Sequence, residues 1–146
     1  MKSMFAAALA FAALAAPGAA DEAAELGAKV FRKNCFACHK VGEGARHLVG
    51  PVLNDLIGRS AGSVGDFARY SRPMKAAGES GLVWTEEALR DYLPAPRDYV
   101  TGTTMTFVGL KKPEEIDALI AYLKQFSPDV EPAATPEERG IGISTY

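Results

Sequence analysis

The 146 residues have room for one ordinary domain, and a mixture of 48% hydrophobic and 23% charged residues excludes a fibrous or wholly disordered chain. The chain has a formal net charge of -2 and therefore lacks the excess of basic residues that is typical of nucleic-acid-binding proteins. No nucleic acid is expected as a partner.

The first twenty residues have the layout of a secretory signal peptide. Lys2 supplies a positive charge, residues 5–16 form an uninterrupted apolar run, and Pro17 breaks it ahead of small residues. As a helix, this run would span about 18 Å, well short of the roughly 30 Å hydrocarbon core of a bilayer. We therefore expect residues 1–20 to be removed after Ala20, leaving a periplasmic protein without stable membrane insertion.

The mature chain is predicted to begin with a helix and to continue as loop. Residues 23–34 form the helix and place Leu26, Val30 and Phe31 on one face. Residues 40–69 are rich in glycine and charged residues and show no sustained period, which indicates loop structure.

A cysteine motif lies between these two segments. Cys35 and Cys38 are three positions apart and His39 follows at once, which is the signature of haem attachment. Two thiols one helical turn apart can each form a thioether to a haem vinyl group, and the imidazole can then reach the iron. The motif therefore predicts one covalent haem c.

Three other interpretations of the cysteines are weaker. A thioredoxin-like pair follows a strand in a βαβ unit, but no β-branched run precedes Cys35. A zinc site needs two further ligands, for which His47 is the main candidate besides carboxylates. A structural disulfide would not require His39.

Two more helices are predicted in the second half of the chain. Thr85 is a candidate N-cap for a helix through Leu93, with acidic residues in its first turn and prolines after its end. Pro113 suits the first position of a helix up to Phe126. An apolar stripe along that helix consists of Ile116, Leu119, Ile120 and Leu123. Residues 127–146 are predicted to be a flexible, proline-rich acidic tail.

The sixth iron ligand is a choice between two methionines. Methionine at that position is typical of electron-transfer cytochromes, whereas a vacant position suits ligand binding or peroxide chemistry. Met74 lies in a predicted short helix, where methionine more often fills the core. Met105 lies in a predicted loop that could cover the haem face opposite His39, so the pattern favours Met105.

Several motifs in this order resemble the mitochondrial-type class I cytochromes c and their soluble bacterial relatives. The matching stretches are Cys35-Phe36-Ala37-Cys38-His39, Gly50-Pro51-Val52-Leu53, Leu56-Ile57-Gly58-Arg59, Trp84 with Tyr92, the loop from Pro96 to Phe107, and Leu119-Ile120 with Tyr122-Leu123. Thr101 and Thr104 depart from the proline and lysine that are common in the family. The resemblance implies an all-α class I cytochrome c fold, with three or four short helices and long loops around one covalently bound haem.

The resemblance also implies a set of site residues. Cys35 and Cys38 bind the haem, His39 and Met105 are the axial iron ligands, and Pro51, Arg59, Tyr70 and Trp84 form the haem environment. In that environment, the Pro51 carbonyl accepts a hydrogen bond from His39, and the other three surround a propionate. His47 is implied to bond backbone rather than metal.

The resemblance further implies that Gly27 and Phe31 pack against Leu119 and Tyr122 where the terminal helices cross. The function implied is that of a soluble, monomeric single-electron carrier and not an enzyme. Its redox partners would be a membrane oxidase, a cytochrome bc complex or a dehydrogenase, as in a respiratory chain. The alternatives are a peroxidase or gas sensor with an open iron position, and a dedicated electron-accepting subunit of one dehydrogenase.

Overall fold

The structure is a computed structural model, and it describes residues 18–127. Five helices lie within this range: α1 (Ala19–Asn34), α2 (Arg72–Glu79), α3 (Glu86–Tyr92), α4 (Pro96–Tyr99) and α5 (Pro113–Lys124). Loops connect them, and an isolated antiparallel bridge pairs Ser60 with Val83. The all-α fold with long loops is confirmed, with one helix more than expected.

The face that α1 buries differs from the predicted one. Val30 and Phe31 are buried as expected, but Leu26 is 39% exposed. Gly27 takes the place of Leu26 on the buried face. Successive residues of an α-helix differ by about 100° in direction, so a face centred on Gly27 turns Leu26 towards solvent. The prediction for Leu26 was therefore wrong.

Helices α1 and α5 cross at very short range. A Cβ added at Gly27 would overlap the backbone carbonyl of Ala118 and crowd the Tyr122 side chain. The rings of Phe31 and Tyr122 pack with their centroids 5.5 Å apart. Glycine at position 27 is what lets the two backbones approach this closely. The contacts of Gly27 and Phe31 with Tyr122 agree with what the resemblance implied, whereas the contact with Ala118 was not predicted.

Capping residues set the starts of α2 and α3. The Ser71 side chain accepts a hydrogen bond from the Met74 amide, and the Thr85 hydroxyl accepts one from the Ala88 amide. Thr85 is therefore the N-cap that the sequence predicted. Pro96 is the first residue of the short helix α4. From the sequence, this proline was expected only to follow the end of α3, and α4 was not predicted.

The end of the described chain is fastened to the loop around Ile57. The Asp55 amide donates to the Phe126 carbonyl at 2.7 Å, and the Ile57 amide donates to the Ser127 hydroxyl at 3.2 Å. Ser127, the first residue of the predicted tail, is buried. The rest of that tail and residues 1–17 of the predicted signal peptide lie outside the described residues. No helix between residues 18 and 127 combines the length and apolar character needed to cross a membrane.

Candidate functional site

The cysteine motif forms a tight turn at the end of α1. Cys35 is the C-cap residue and donates its amide to the Phe31 carbonyl at 2.8 Å. The amides of Cys38 and His39 both return to the Cys35 carbonyl, at 3.0 and 2.8 Å. Both thiols are free and partly buried, and burial raises the pKa of the Cys35 thiol to about 11. The pair therefore follows a helix and not the strand that a thioredoxin-like site requires.

The hydrogen bond of His39 determines which ring nitrogen is free. Its Nδ1 lies 2.7 Å from the Pro51 carbonyl oxygen, which can only accept, so Nδ1 carries the proton. Burial lowers the pKa of His39, although the bond to Pro51 opposes the shift. The imidazole is therefore held neutral with Nε2 available as a ligand atom.

Gly50 sets the position of the His39 ring, a role that the sequence analysis missed. A Cβ at Gly50 would overlap Cε1 of His39 and come within 2.7 Å of both ring nitrogens. The Gly50 amide also donates to the Cys38 carbonyl at 2.9 Å. The glycine directly before Pro51 was the available signal, because a missing side chain permits close approach.

Arg59 holds the loop before it through two of its three side-chain nitrogens. Its two terminal nitrogens donate to the carbonyls of Asn54 at 2.8 Å and Val52 at 3.3 Å. Its Nε is buried and has no hydrogen-bond partner among the described residues. Burial lowers the pKa of Arg59, because the charged guanidinium loses contact with water. A negatively charged hydrogen-bond acceptor beside Nε would offset this desolvation.

Two aromatic residues, Trp84 and Tyr70, were also predicted to lie in the haem environment, and each packs against another aromatic ring. Trp84 is buried, with its ring 4.7 Å from that of Tyr92. Tyr70 is half-buried, with its ring edge-on to Phe67 at 4.9 Å. Burial raises the pKa of Tyr70, and the neighbouring Arg59 opposes this shift.

The two candidate methionines have different surroundings. Met74 is buried in the hydrophobic core on α2. Met105 lies in the loop between α4 and α5, where its Sδ accepts a hydrogen bond of 3.0 Å from the Tyr92 hydroxyl. Burial raises the pKa of Tyr92 to about 12, so this hydroxyl stays protonated at neutral pH. Tyr92 was recognisable in the sequence only as part of a motif, and its contact with the methionine sulfur was not predicted.

The loop that carries Met105 contains a local hydrogen bond and is fastened at its far end to the end of α3. The Met105 amide donates to the Thr103 hydroxyl at 3.3 Å. Further along, the Leu110 amide donates to the Leu93 carbonyl at 2.9 Å, and Lys111 Nζ donates to the Pro94 carbonyl at 2.6 Å. These bonds restrict the loop against the end of α3.

His47 bonds backbone, as the resemblance implied. Its Nδ1 accepts a hydrogen bond of 2.9 Å from the Val52 amide. Its Nε2 lies 2.9 Å from a carboxylate oxygen of Asp66, and its ring packs on Phe67. Because Nδ1 accepts, the proton of the neutral ring is on Nε2 and is donated to Asp66.

The donor set fits a covalent haem. Two thiols one turn apart suit thioether formation, and a neutral imidazole and a thioether are ligands found on haem iron. The buried Nε of Arg59, which has no partner within residues 18–127, suits a carboxylate such as a propionate.

Comparison with known proteins decides the family. A family model described as cytochrome c matches residues 24–127. The chain belongs to the cytochrome c family. The cytochrome is 61% identical over 103 residues to the cytochrome c2 of Afifella marina, covering 70% of this chain and 82% of that protein. It is 48% identical over 118 residues to the cytochrome c2 of Blastochloris viridis, covering 81% and 88%.

A solved structure agrees with this assignment. The structure of cytochrome c2 from Rhodospirillum centenum aligns with a TM-score of 0.66 at 43% identity, covering 72% of this chain and 98% of that one. The cytochrome thus has the class I fold and carries one covalently attached haem c with its iron. It is a carrier of single electrons and not an enzyme.

Proposed function

We propose that the cytochrome binds its haem through Cys35 and Cys38 and holds the iron between His39 and Met105. The hydrogen bond of His39 to Pro51 carries the proposal, because it leaves Nε2 as the ring atom free for iron. The bond from Tyr92 to the Met105 sulfur supports the second ligand, since it holds a loop methionine in a defined position.

The haem supplies an iron that alternates between the ferric and ferrous states by one electron. The task of the polypeptide is to keep the surroundings of the iron the same in both states. His39 is positioned by Gly50 and Pro51, and Met105 is positioned by Tyr92 and the bonds of its loop. Two such ligands leave little structure to rearrange when the charge changes, which favours fast transfer. A thioether ligand also raises the reduction potential.

Arg59, Tyr70 and Trp84 form the proposed environment of a propionate. Arg59 contributes the buried Nε that has no acceptor among the described residues. Burial raises the pKa of Tyr70, and the positive charge of Arg59 opposes this rise. A carboxylate at this point would remove the cost of an unpaired buried donor and would itself be stabilised by the guanidinium.

The proposed setting is the periplasm. Residues 1–20 would be the signal peptide, residues 21–126 the cytochrome domain and residues 127–146 an acidic tail. As a soluble monomer, the protein would carry electrons between membrane-bound or exported complexes, such as an oxidase, a cytochrome bc complex or a dehydrogenase. Redox encounters of this kind use small, short-lived contacts.

Ferric absorption spectra of the mature protein, Met105→Ala and Met74→Ala test the ligand assignment. We expect the weak near-infrared sulfur-to-iron band in the unmodified protein and in Met74→Ala, and its loss in Met105→Ala. Loss of the band in Met74→Ala alone would show that the assignment is wrong. Rapid carbon monoxide binding by the unmodified reduced protein would instead indicate an open iron position and contradict the carrier function.

A further inference from the structure

A single peptide unit lies between the two histidines. The carbonyl of Pro51 accepts from His39 Nδ1 at 2.7 Å, and the amide of the same unit, on Val52, donates to His47 Nδ1 at 2.9 Å. His47 Nε2 then lies 2.9 Å from Asp66. The bonds form one continuous chain, from His39 through the peptide and His47 to a carboxylate.

Every bond in this chain runs in the same direction. His39 donates to the peptide, the peptide donates to His47, and His47 donates to Asp66, as the acceptor at each step requires. Hydrogen bonds arranged head to tail polarise and strengthen one another. The inner members are partly buried, whereas the terminal carboxylate is 81% exposed.

We propose that Asp66 and His47 tune the electron donation of His39 through the Pro51–Val52 peptide. The inference rests on the proposed role of His39 as an iron ligand. Charge on Asp66 draws the His47 proton outward and makes Nδ1 of His47 a better acceptor for the Val52 amide. Amide resonance then places more negative charge on the Pro51 oxygen, which attracts the Nδ1 proton of His39 more strongly.

The sign of the effect follows from that polarisation. A histidine whose Nδ1 proton is drawn away is a stronger donor to the metal, as outer partners of metal-bound histidines are known to make it. Stronger donation favours ferric over ferrous iron, so Asp66 and His47 keep the reduction potential lower than it would otherwise be. They are positioning residues, because neither touches the metal.

The test is the reduction potential of the haem-loaded full chain with Asp66→Asn. Asparagine can still accept the hydrogen bond but has no charge. We expect the equilibrium constant for reduction of the haem to increase about threefold. At 59 mV per tenfold change for one electron, this is a rise of roughly 30 mV in the reduction potential. Glu79→Gln is the matched control, because it removes one exposed negative charge without touching the chain of bonds. Glu79 lines a surface groove that is also lined by Gly65 and Phe67, the chain neighbours of Asp66. We expect Glu79→Gln to shift the potential by less than half as much.

A second variant separates the relay from plain charge. His47→Leu breaks the chain but leaves Asp66 in place, so in that background Asp66→Asn should shift the potential no more than Glu79→Gln does. Should His47→Leu fail to fold, nuclear magnetic resonance of Asp66→Asn gives an independent measurement. The Val52 amide proton should then move upfield, because its hydrogen bond to His47 weakens.

Equal potential shifts from Asp66→Asn and Glu79→Gln, together with an unmoved Val52 amide resonance, would overturn the relay. The near-infrared sulfur-to-iron band of the unmodified protein, and the loss of the axial nitrogen ligand with a change of iron spin state in His39→Ala, distinguish this failure from failure of the proposed function. If both remain as expected while the relay test fails, His39 is still a ligand and only its tuning by Asp66 is wrong.

Discussion

Tyr92 offers the most direct control over the electronic character of Met105. Its hydroxyl donates to the methionine sulfur at 3.0 Å and so withdraws electron density from it. Tyr92→Phe removes only that donor, which makes the sulfur a stronger ligand and favours ferric iron. We expect the reduction potential to fall by up to about 60 mV, the equivalent of a net hydrogen bond of about 0.5–1.5 kcal/mol.

Tyr99→Phe is the control for this prediction. Its ring packs edge-on to Tyr92 and is 40% exposed, and its hydroxyl makes no described bond to Met105. Potentiometric titration of both variants should show a fall in Tyr92→Phe alone. A rise, or an equal change in the two variants, would contradict the assigned role of the Tyr92 hydroxyl.

We expect Asp66 to make the free energy of unfolding depend on pH in the acid range. The hydrogen bond from His47, first, and the backbone amide of Asp66 itself lower the pKa of this carboxyl. The folded protein therefore binds the proton less tightly than the unfolded chain, whose aspartate pKa is about 3.9. The stability that ionised Asp66 contributes is therefore fully present above the unfolded pKa. It is lost as the pH falls through the lower pKa of the folded protein.

Asp66→Asn should accordingly lose less stability than the unmodified protein over that acid range. Urea unfolding at a series of pH values from about 5 downward measures this difference. Glu79→Gln serves as the comparison, since Glu79 is exposed and has no ion pair among the described residues. Identical acid profiles for Asp66→Asn and the unmodified protein would count against the His47 bond.

For individual residues, a role that depends on a fixed spacing in the sequence could be predicted. A contact between residues far apart in the sequence could not. Cys35, Cys38 and His39 are recognisable because their chemistry needs them adjacent in sequence. The Tyr92–Met105 and His47–Asp66 contacts join separate loops and helices, so no local pattern reports them.

The crossing of α1 and α5 depends on a residue without a side chain. Alanine at Gly27 would gain about 1 kcal/mol in helix propensity but would collide with the Ala118 carbonyl and with Tyr122. Overpacking of this kind costs about 1–3 kcal/mol. After the gain in helix propensity is subtracted, we expect Gly27→Ala to destabilise the protein by up to about 2 kcal/mol in urea unfolding.

Gly65→Ala is the matched substitution for this experiment. No atom lies within 4 Å of a Cβ at Gly65, so its effect should stay within about 0.5 kcal/mol. If Gly27→Ala were as stable as Gly65→Ala, the helices would have to move apart easily, and the close crossing would not be a constraint.

Helices with local signals at their ends were predicted well from sequence. Thr85 followed by two acidic residues marks the start of α3, and Pro113 marks the start of α5, because both effects act within one turn. The short helix α4 was missed because Pro96 can end one helix and begin the next. The orientation of Leu26 was wrong because the buried face of α1 is chosen by α5 and not by hydrophobicity alone.

The whole molecule should depend on its cofactor for folding. The five described helices are joined by long loops, the shortest helix has four residues, and the buried Nε of Arg59 has no hydrogen-bond partner among the described residues. We expect a Cys35→Ser, Cys38→Ser double variant to be colourless and to lose most of its far-ultraviolet helical signal. Met105→Ala keeps both thioether bonds and should keep both colour and helix.

Circular dichroism of the two proteins after export under haem-attaching conditions makes the comparison. A colourless double variant with the full helical signal would contradict the expected dependence. Sequence indicated this dependence only indirectly, through long loops and short helices, whereas the unpaired guanidinium nitrogen became visible only in three dimensions.

The contacts of Gly27 with Ala118, and of Ile57 with Ser127, join early segments of the chain to its last described ones. Docking of α5 on α1 therefore completes the fold, because it fixes the helix whose end carries Cys35. We expect both thiols to be more accessible in a newly exported, unfolded chain than in the closed molecule, where they are partly buried.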